Sequence, residues 1–217
     1  MSDSLPRPAL RLMVVSAPLE AEGDAEALAA ALAALEAGDI AALLLRGGAL
    51  DDAAFARRIA PLVPLAQARD IAVLLEDRPD LLAASGADGL HLTLTEKRSP
   101  LKDLRRRFGD DVILGAGCAA SRHVAMSAGE QGADYVGFGD PDGAPEGGGP
   151  ADPEIIAWWE AVMTPPQVAF GAGDLAGARE LAAAGPDFLA LGPALWPGES
   201  DPAAALKALL DALSEAA

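Results

Sequence analysis

Short apolar segments alternate with longer, helix-like stretches along nearly the whole chain. Each apolar segment is closed by a polar residue or a glycine. Short runs of Val, Ile and Leu are typical of strands that are buried on both faces. The predicted strands are residues 10–16, 40–46, 71–76, 89–92, 112–115, 135–139, 167–171 and 188–192.

Helical stretches separate these strands, and glycines follow several of them, as expected of helix C-terminal caps. The predicted helices are residues 24–37, 51–68, 79–85, 101–108, 121–131, 153–162, 175–184 and 202–213. Strand–helix alternation implies parallel strands with right-handed crossovers. Eight such units predict a closed (β/α)8 TIM barrel. An open doubly wound sheet is the alternative, but no Gly-x-Gly-x-x-Gly follows the first strand.

The alternation also sets the domain organisation. Residues 1–8 contain Pro6 and Pro8 and are interpreted as a flexible N-terminal tail, whereas 9–217 form one barrel domain. The Gly- and Pro-rich stretch 140–152 is a long loop after the sixth strand, because the alternation continues beyond it.

Composition limits the classes of partner. The formal net charge of −17 argues against nucleic acid and anionic membranes, which attract basic surfaces. No apolar run approaches the roughly 20 residues that span a bilayer, and no signal peptide is recognisable. The single cysteine, Cys118, fits a reducing compartment, so a cytoplasmic location is expected. The sequence leaves open whether the chain forms a homo-oligomer.

The loops after the last two strands are candidates for binding a small phosphorylated substrate. In such barrels the chemistry lies at the carboxyl ends of the strands, and phosphate commonly binds after strands seven and eight. Glycines there let backbone N–H groups approach an anion, and the alternative is that they serve only to make tight turns. The candidate phosphate-binding residues are Gly171, Ala172, Gly173, Leu191 and Gly192.

Charged residues end the second and third strands. Arg46 is a candidate for phosphate or pyrophosphate, because its planar guanidinium suits two oxygens at once. Asp77 at the end of strand three and Glu96 after strand four are candidate ligands for Mg²⁺, which prefers oxygen donors. Structural ion pairs and a helix cap are the competing interpretations of these charges.

Two further residues could take part in chemistry. Cys118 follows strand five, and only His123 is near enough in sequence to act as its base. His91 lies between apolar residues of strand four, where a hydrogen-bonded core histidine is the more common arrangement.

Two longer motifs carry a family resemblance that extends over nearly the whole chain. Residues 76–81 read Glu-Asp-Arg-Pro-Asp-Leu, and 86–92 read Gly-Ala-Asp-Gly-Leu-His-Leu. A second motif, Gly-Ala-Asp-Tyr-Val-Gly-Phe-Gly, occupies 132–139. These stretches resemble the thiamine phosphate synthase family and its thiazole tautomerase relatives. The family joins a pyrimidine pyrophosphate to a thiazole phosphate on a (β/α)8 barrel, using Mg²⁺.

The resemblance implies roles for individual residues. Asp77 stands at the first metal-binding Asp of the family, and Glu96 stands near the second. Arg46 matches the Arg of a Gln-Leu-Arg-x-Lys motif, and Cys118 stands where the family has a Ser. The glycine-rich segment after strand seven and the end of strand eight match the thiazole phosphate site; the residues there are Gly171, Ala172, Gly173, Leu191 and Gly192.

The chain departs from the family pattern where the pyrophosphate should bind. Leu44 and Gly48 replace the Gln and Lys of the arginine motif, and Glu76 replaces an Asn. A Thr-x-Thr-Lys motif after strand six is replaced by the acidic segment 140–147. Three hypotheses follow: a synthase-type transferase with a remodelled pyrophosphate pocket, a divergent isomerase acting on a small phosphate ester, or a non-catalytic binder of such an ester.

Overall fold

The structure, a computed structural model, describes residues 10–36, 38, 40–97, 99–195 and 202–214. The predicted N-terminal tail, residues 1–8, lies outside the described residues. No helix within the described part is long and apolar enough to cross a membrane.

Eight parallel strands close into a barrel in the order of the sequence, with β1 paired to both β2 and β8. The predicted (β/α)8 barrel is therefore confirmed. The strands are β1 (Arg11–Pro18), β2 (Ala42–Arg46), β3 (Ala72–Glu76), β4 (Gly89–Thr93), β5 (Ile113–Gly117), β6 (Tyr135–Phe138), β7 (Gln167–Ala169) and β8 (Phe188–Leu191).

Helices surround the barrel. Within the described residues they are α1 (Asp24–Ala33), α2 (Asp52–Ile59), α3 (Leu62–Gln67), α4 (Leu82–Ser85), α5 (Leu101–Phe108), α6 (Arg122–Glu130), α7 (Pro153–Val162), α8 (Leu175–Ala184) and α9 (Pro202–Ser214). A single helix over 51–68 is wrong, because the chain forms α2 and α3 instead. Pro61 lies between them and lacks the N–H that a continuous helix would use.

Alternate residues along each strand face two separate apolar layers. The larger layer lies between strands and helices and includes Leu43, Leu75 and Phe138. The smaller layer fills the barrel interior and includes Met13, Leu44 and Val168. This alternation fixes which side chains at the strand ends point to the barrel axis and which point to the helices.

Three rings fill the interior beneath the mouth of the barrel. The Nδ1 atom of His91 lies 2.8 Å from the hydroxyl oxygen of Tyr135, and the two rings stack. The Phe170 ring is tilted against His91 at 5.2 Å between centroids. Gly137 makes room, since a Cβ there would lie 2.5 Å from the Phe170 ring. The low aromatic content is thus partly concentrated at the barrel axis.

Three aspartates tie neighbouring strands together at the opposite end. The Asp88 carboxylate, just before β4, accepts a hydrogen bond from the backbone N–H of Val73 in β3 at 2.7 Å. Asp134, before β6, accepts from Leu114 of β5 at 2.7 Å, and Asp187, before β8, accepts from Gln167 of β7 at 2.8 Å. We call these contacts the aspartate clamps. They satisfy strand N–H groups and set the pairing of three strand pairs.

Candidate active site at the barrel mouth

Arg46 lies at the mouth with a carboxylate on either side. Its Nε donates to Glu76 Oε1 at 3.0 Å, and its Nη1 donates to Asp142 Oδ1 at 2.5 Å. Its side chain is only 11% exposed. The Arg46 backbone N–H donates to the buried Ser16 hydroxyl at 3.0 Å, where the β1–β2 register shifts. The inward position of Arg46 follows from strand alternation in β2.

Burial governs the ionisation of Glu76. Loss of hydration raises the pKa of Glu76, although the positive charge of Arg46 partly opposes that shift. The nearby Asp77 and Asp142 carboxylates add to the rise. The mouth therefore holds more negative than positive charge around Arg46, and the ionised form of Glu76 depends on its arginine partner.

The loop between β6 and α7 crosses the mouth. Its turn is organised by Asp140, whose Oδ1 accepts hydrogen bonds from the backbone N–H groups of Asp142 at 2.9 Å and Ala144 at 3.0 Å. A short 3-10 helix at Pro145–Gly147 follows this turn. The sequence predicts a long loop here, and the structure adds that its first part is a hydrogen-bonded turn from which Asp142 reaches Arg46.

The same loop lies against both predicted phosphate-binding segments. A Cβ on Gly192 would lie 2.7 Å from the Pro141 carbonyl oxygen, and one on Gly171 would lie 2.9 Å from the Asp140 carbonyl oxygen. Gly171 also has a φ of 87°, a left-handed conformation that favours glycine. Glycine is thus required at both positions by the close approach of the loop.

The remaining predicted phosphate-binding residues surround these contacts. Gly171 and Ala172 are buried, whereas Gly173 is exposed just before the first turn of α8. Asp174 caps α8 by accepting from the Gly177 N–H at 2.8 Å. The Leu191 side chain packs outward in the layer beneath the helices, so only its backbone could contact a phosphate. A phosphate site formed by these residues stays a prediction.

Asp77 is fixed by β4. Its backbone N–H donates to the His91 carbonyl at 3.0 Å, and its Oδ1 accepts from the Thr93 N–H at 2.9 Å. Its φ of 48° lies in the left-handed region, which is strained for a residue other than glycine and often marks functional positions. The side chain is exposed at the mouth, where a carboxylate oxygen can meet a cation.

Glu96 lies in a different environment from the one its sequence position suggested. It is exposed and lines a polar groove of about 270 Å³. Lys97, Ser99, His123 and Gln131 line the same groove, between the β4–α5 loop and α6. The structure therefore groups Glu96 with His123. Among the described residues, no three His, Cys, Asp or Glu side chains come together as a metal site.

Cys118 points away from the mouth. Its side chain is 1% exposed and packs in the layer between strands and helices, with its Sγ donating to the Ala116 carbonyl at 3.2 Å. Burial raises the pKa of the Cys118 thiol to about 12. His123, its only sequence neighbour that could serve as a base, is exposed in the polar groove. The catalytic role given to Cys118 stays a prediction, and these surroundings disfavour the reactive thiolate.

Sequence reasoning missed the role of Asp142. In the sequence, Asp142 is one of several acidic residues in the segment 140–147. Its partner Arg46 lies 96 positions earlier, so nothing in the sequence joins the two. Arg78 was likewise noted only as part of a motif. Its Nη2 donates to the carbonyls of Gly48 and Leu50, both at 3.0 Å, so it shapes the loop after Arg46.

The fold and these residues define a (β/α)8-barrel protein with its candidate site at the carboxyl ends of the strands. The family model described as thiamine monophosphate synthase matches residues 12–195. Thiamine-phosphate synthase of Rhodospirillum centenum is 47% identical over 186 residues, covering 84% of this chain and 89% of that protein. The chain belongs to the thiamine monophosphate synthase family, and the resemblance inferred from its motifs is confirmed.

Other relatives agree. Thiamine-phosphate synthase of Hyphomonas neptunium is 40% identical over 210 residues, covering 94% of this chain and 93% of that protein. Among solved structures, thiamine phosphate pyrophosphorylase from Pyrococcus furiosus superposes with a TM-score of 0.78 at 24% identity, covering 95% of this chain and 96% of that one. At that identity the structural likeness supports the fold alone.

Proposed function

We propose that this protein is a thiamine-phosphate synthase, which joins a hydroxymethylpyrimidine pyrophosphate to a thiazole phosphate. The observation that carries the proposal is family membership across residues 12–195, with relatives of that name at 40% and 47% identity. These relatives favour the transferase over the isomerase and the non-catalytic binder, since their names specify this synthase.

The reaction exchanges one bond for another. The bond between the pyrimidine methylene carbon and the pyrophosphate oxygen breaks, and its electrons leave with pyrophosphate. The thiazole ring nitrogen then forms a bond to that carbon. Stabilising the charge on the leaving group and excluding water are the main tasks for the protein.

The chain supplies groups for these tasks. The guanidinium of Arg46 can donate two hydrogen bonds to pyrophosphate oxygens once its present partner Asp142 is displaced. Backbone N–H groups after β7 and β8, from Gly173 and Gly192, can hold the thiazole phosphate near the start of α8. The rings at the barrel axis close the floor of the site to water.

Mg²⁺ is part of the proposal, and the donor chemistry fits it. Asp77 offers a hard carboxylate oxygen at the mouth, and the Thr93 N–H orients this carboxylate. Glu96, the second predicted ligand, lies in the polar groove beside His123. Magnesium is commonly held by one or two carboxylates together with substrate phosphates, so Asp77 is the side chain that would hold it at the mouth. When bound, the metal would neutralise charge on the pyrophosphate oxygens.

The test is turnover of the purified protein with both substrates, with thiamine phosphate measured by fluorescence after oxidation. We expect product formation that EDTA abolishes and Mg²⁺ restores. Asp77→Asn should lower kcat at least about 100-fold, because it removes a charged ligand while keeping the shape of the side chain. Asp110→Asn, an exposed change at the other end of the barrel, is the matched control. Absence of product from the wild-type protein with Mg²⁺ would reject the proposal.

A further inference from the structure

Asp142 occupies the face of Arg46 that an incoming oxyanion would use. Its Oδ1 lies 2.5 Å from Arg46 Nη1, so the two groups form a charge-assisted hydrogen bond. Glu76 holds the Nε side of the same guanidinium at 3.0 Å. One cation is therefore shared by two carboxylates, and an approaching anion meets a surplus of negative charge.

This contact is built into the loop. The Asp140 carboxylate holds the backbone N–H of Asp142, and the Asp140 N–H donates to the Gly149 carbonyl at 2.8 Å, which closes the turn. The loop also lies against Gly171 and Gly192 through the carbonyls of Asp140 and Pro141. A single segment therefore covers Arg46 and both glycine-containing loops together.

We propose that Asp142 is a specificity-determining residue, which competes with free anions for Arg46 and so selects a diphosphate bound to a divalent cation. A metal-free diphosphate must displace the Asp142 carboxylate and lie beside Glu76, with only the charge of Arg46 to offset the repulsion. A diphosphate that carries Mg²⁺ brings positive charge to the same carboxylates and removes much of that repulsion. This inference rests on the proposed function, because it assumes that the diphosphate binds at Arg46.

The experiment is a calorimetric titration of the full chain with inorganic pyrophosphate, with EDTA and then with excess Mg²⁺. The variant is Asp142→Asn, which keeps the size of the side chain but removes its charge. Asp110→Asn, which changes the net charge equally at an exposed position at the other end of the barrel, is the matched control. Thermal unfolding of each variant checks that the fold is retained.

For the wild-type protein we expect Mg²⁺ to tighten pyrophosphate binding by about 10-fold or more. A change of that size corresponds to the loss of one ion pair, here the one between Arg46 and Asp142. In Asp142→Asn, metal-free pyrophosphate should bind about 10-fold more tightly than it binds the wild type, so that the preference for the metal complex shrinks. Asp110→Asn should behave as the wild type. The proposal would be overturned if all three proteins bound metal-free pyrophosphate with the same affinity, or if none of them bound it. It would also be overturned if Asp110→Asn gained as much affinity for metal-free pyrophosphate as Asp142→Asn.

A double variant tests whether the tighter binding of metal-free pyrophosphate by Asp142→Asn depends on Arg46. Arg46→Gln combined with Asp142→Asn should lose the gain of the single variant, and persistence of that gain would also overturn the proposal. The result is separable from the enzyme assay. If the binding pattern holds but no thiamine phosphate forms, the synthase assignment fails and the role of Asp142 stands. If product forms but Asp142→Asn binds metal-free pyrophosphate no better than the wild type, only the role of Asp142 fails.

Discussion

At the scale of single residues, the side of the strand that a residue faces decides its chemistry. Arg46 and Glu76 end their strands on the inward side and meet at the mouth. Cys118 follows β5 on the outward side and is buried under the helices. Both Arg46 and Cys118 lie at strand ends. They differ because the alternation of side chains along each strand directs Arg46 inward to the polar mouth and Cys118 outward to the apolar layer.

The buried thiol gives a direct test at this scale. With a pKa of about 12, Cys118 is almost entirely protonated at pH 8, and its sulfur is shielded by packing. We expect the native protein to react with a thiol reagent such as dithionitrobenzoate at least about 100-fold more slowly than the protein unfolded in urea. Rapid labelling of the native protein at pH 8 would instead support the predicted catalytic thiol.

Residues on the same strand ends could be predicted from the sequence, whereas contacts made through long loops could not. Arg46 lies at the mouth because it closes the apolar strand β2, and Asp77 lies there because it directly follows β3, and both positions could be read from the sequence. Asp142 could not be paired with Arg46, since that contact depends on the Asp140 turn and the path of the loop. The neighbourhood of Glu96 likewise depends on how the β4–α5 loop lies beside α6.

At the scale of elements, the Gly-Ala-Asp motifs serve the fold. Asp88 and Asp134 belong to the motifs that carry the family resemblance, and their carboxylates accept hydrogen bonds from strand N–H groups. The Asp134 clamp is reinforced by Arg105, whose Nη2 lies 2.6 Å from the same carboxylate. The Gly-Ala-Asp motifs therefore stabilise strand pairing at the amino ends of the strands, whereas the candidate site lies at the carboxyl ends.

Removing one clamp should lower stability without altering chemistry. In Asp134→Ala the Leu114 N–H loses its carboxylate partner, and Arg105 loses its ion pair but keeps its bonds to backbone carbonyls, so the free energy of unfolding should fall by about 1–3 kcal/mol. Urea unfolding measures this change, and Asp110→Ala, exposed near the same end of the barrel, should shift it by less than about 0.5 kcal/mol. The kcat of folded Asp134→Ala should equal that of the wild type; a large fall in kcat would assign this motif a part in the reaction.

The apolar pattern of the sequence predicted where the strands lie better than it predicted where a helix is interrupted. Alternation located all eight strands because a parallel barrel repeats the same apolar pattern. The division of 51–68 into α2 and α3 depends on how the chain turns at Pro61, which the apolar spacing on either side does not reveal.

At the scale of the whole molecule, a neutral histidine lies at the centre of the barrel. Burial lowers the pKa of His91 to about 4, although the Asp77 charge opposes this. The unfolded chain has a histidine pKa near its ordinary value of 6.5, so the unfolded state takes up a proton first as the pH falls. The stabilisation from neutral His91 is complete above that value and is lost as the pH falls toward 4.

This linkage predicts an acid-dependent difference between the wild type and His91→Gln. The free energy of unfolding of the wild type, relative to the variant, should be constant above about pH 7.5 and fall by about 3 kcal/mol as the pH approaches 4. Urea unfolding at several pH values measures it, and using the difference removes the contribution of the many carboxylates. A difference that does not change with pH would show that His91 is protonated equally in both states.

The aspartate clamps recur at every second strand, joining β3 to β4, β5 to β6 and β7 to β8. Ala41 stands at the equivalent position before β2, where it lacks a carboxylate and bonds through its backbone to Leu12 and Ala72. The clamps therefore join six of the eight strands into three separate pairs. Cuts for circular permutation or for split halves are best placed between these pairs, where each fragment keeps its own clamps.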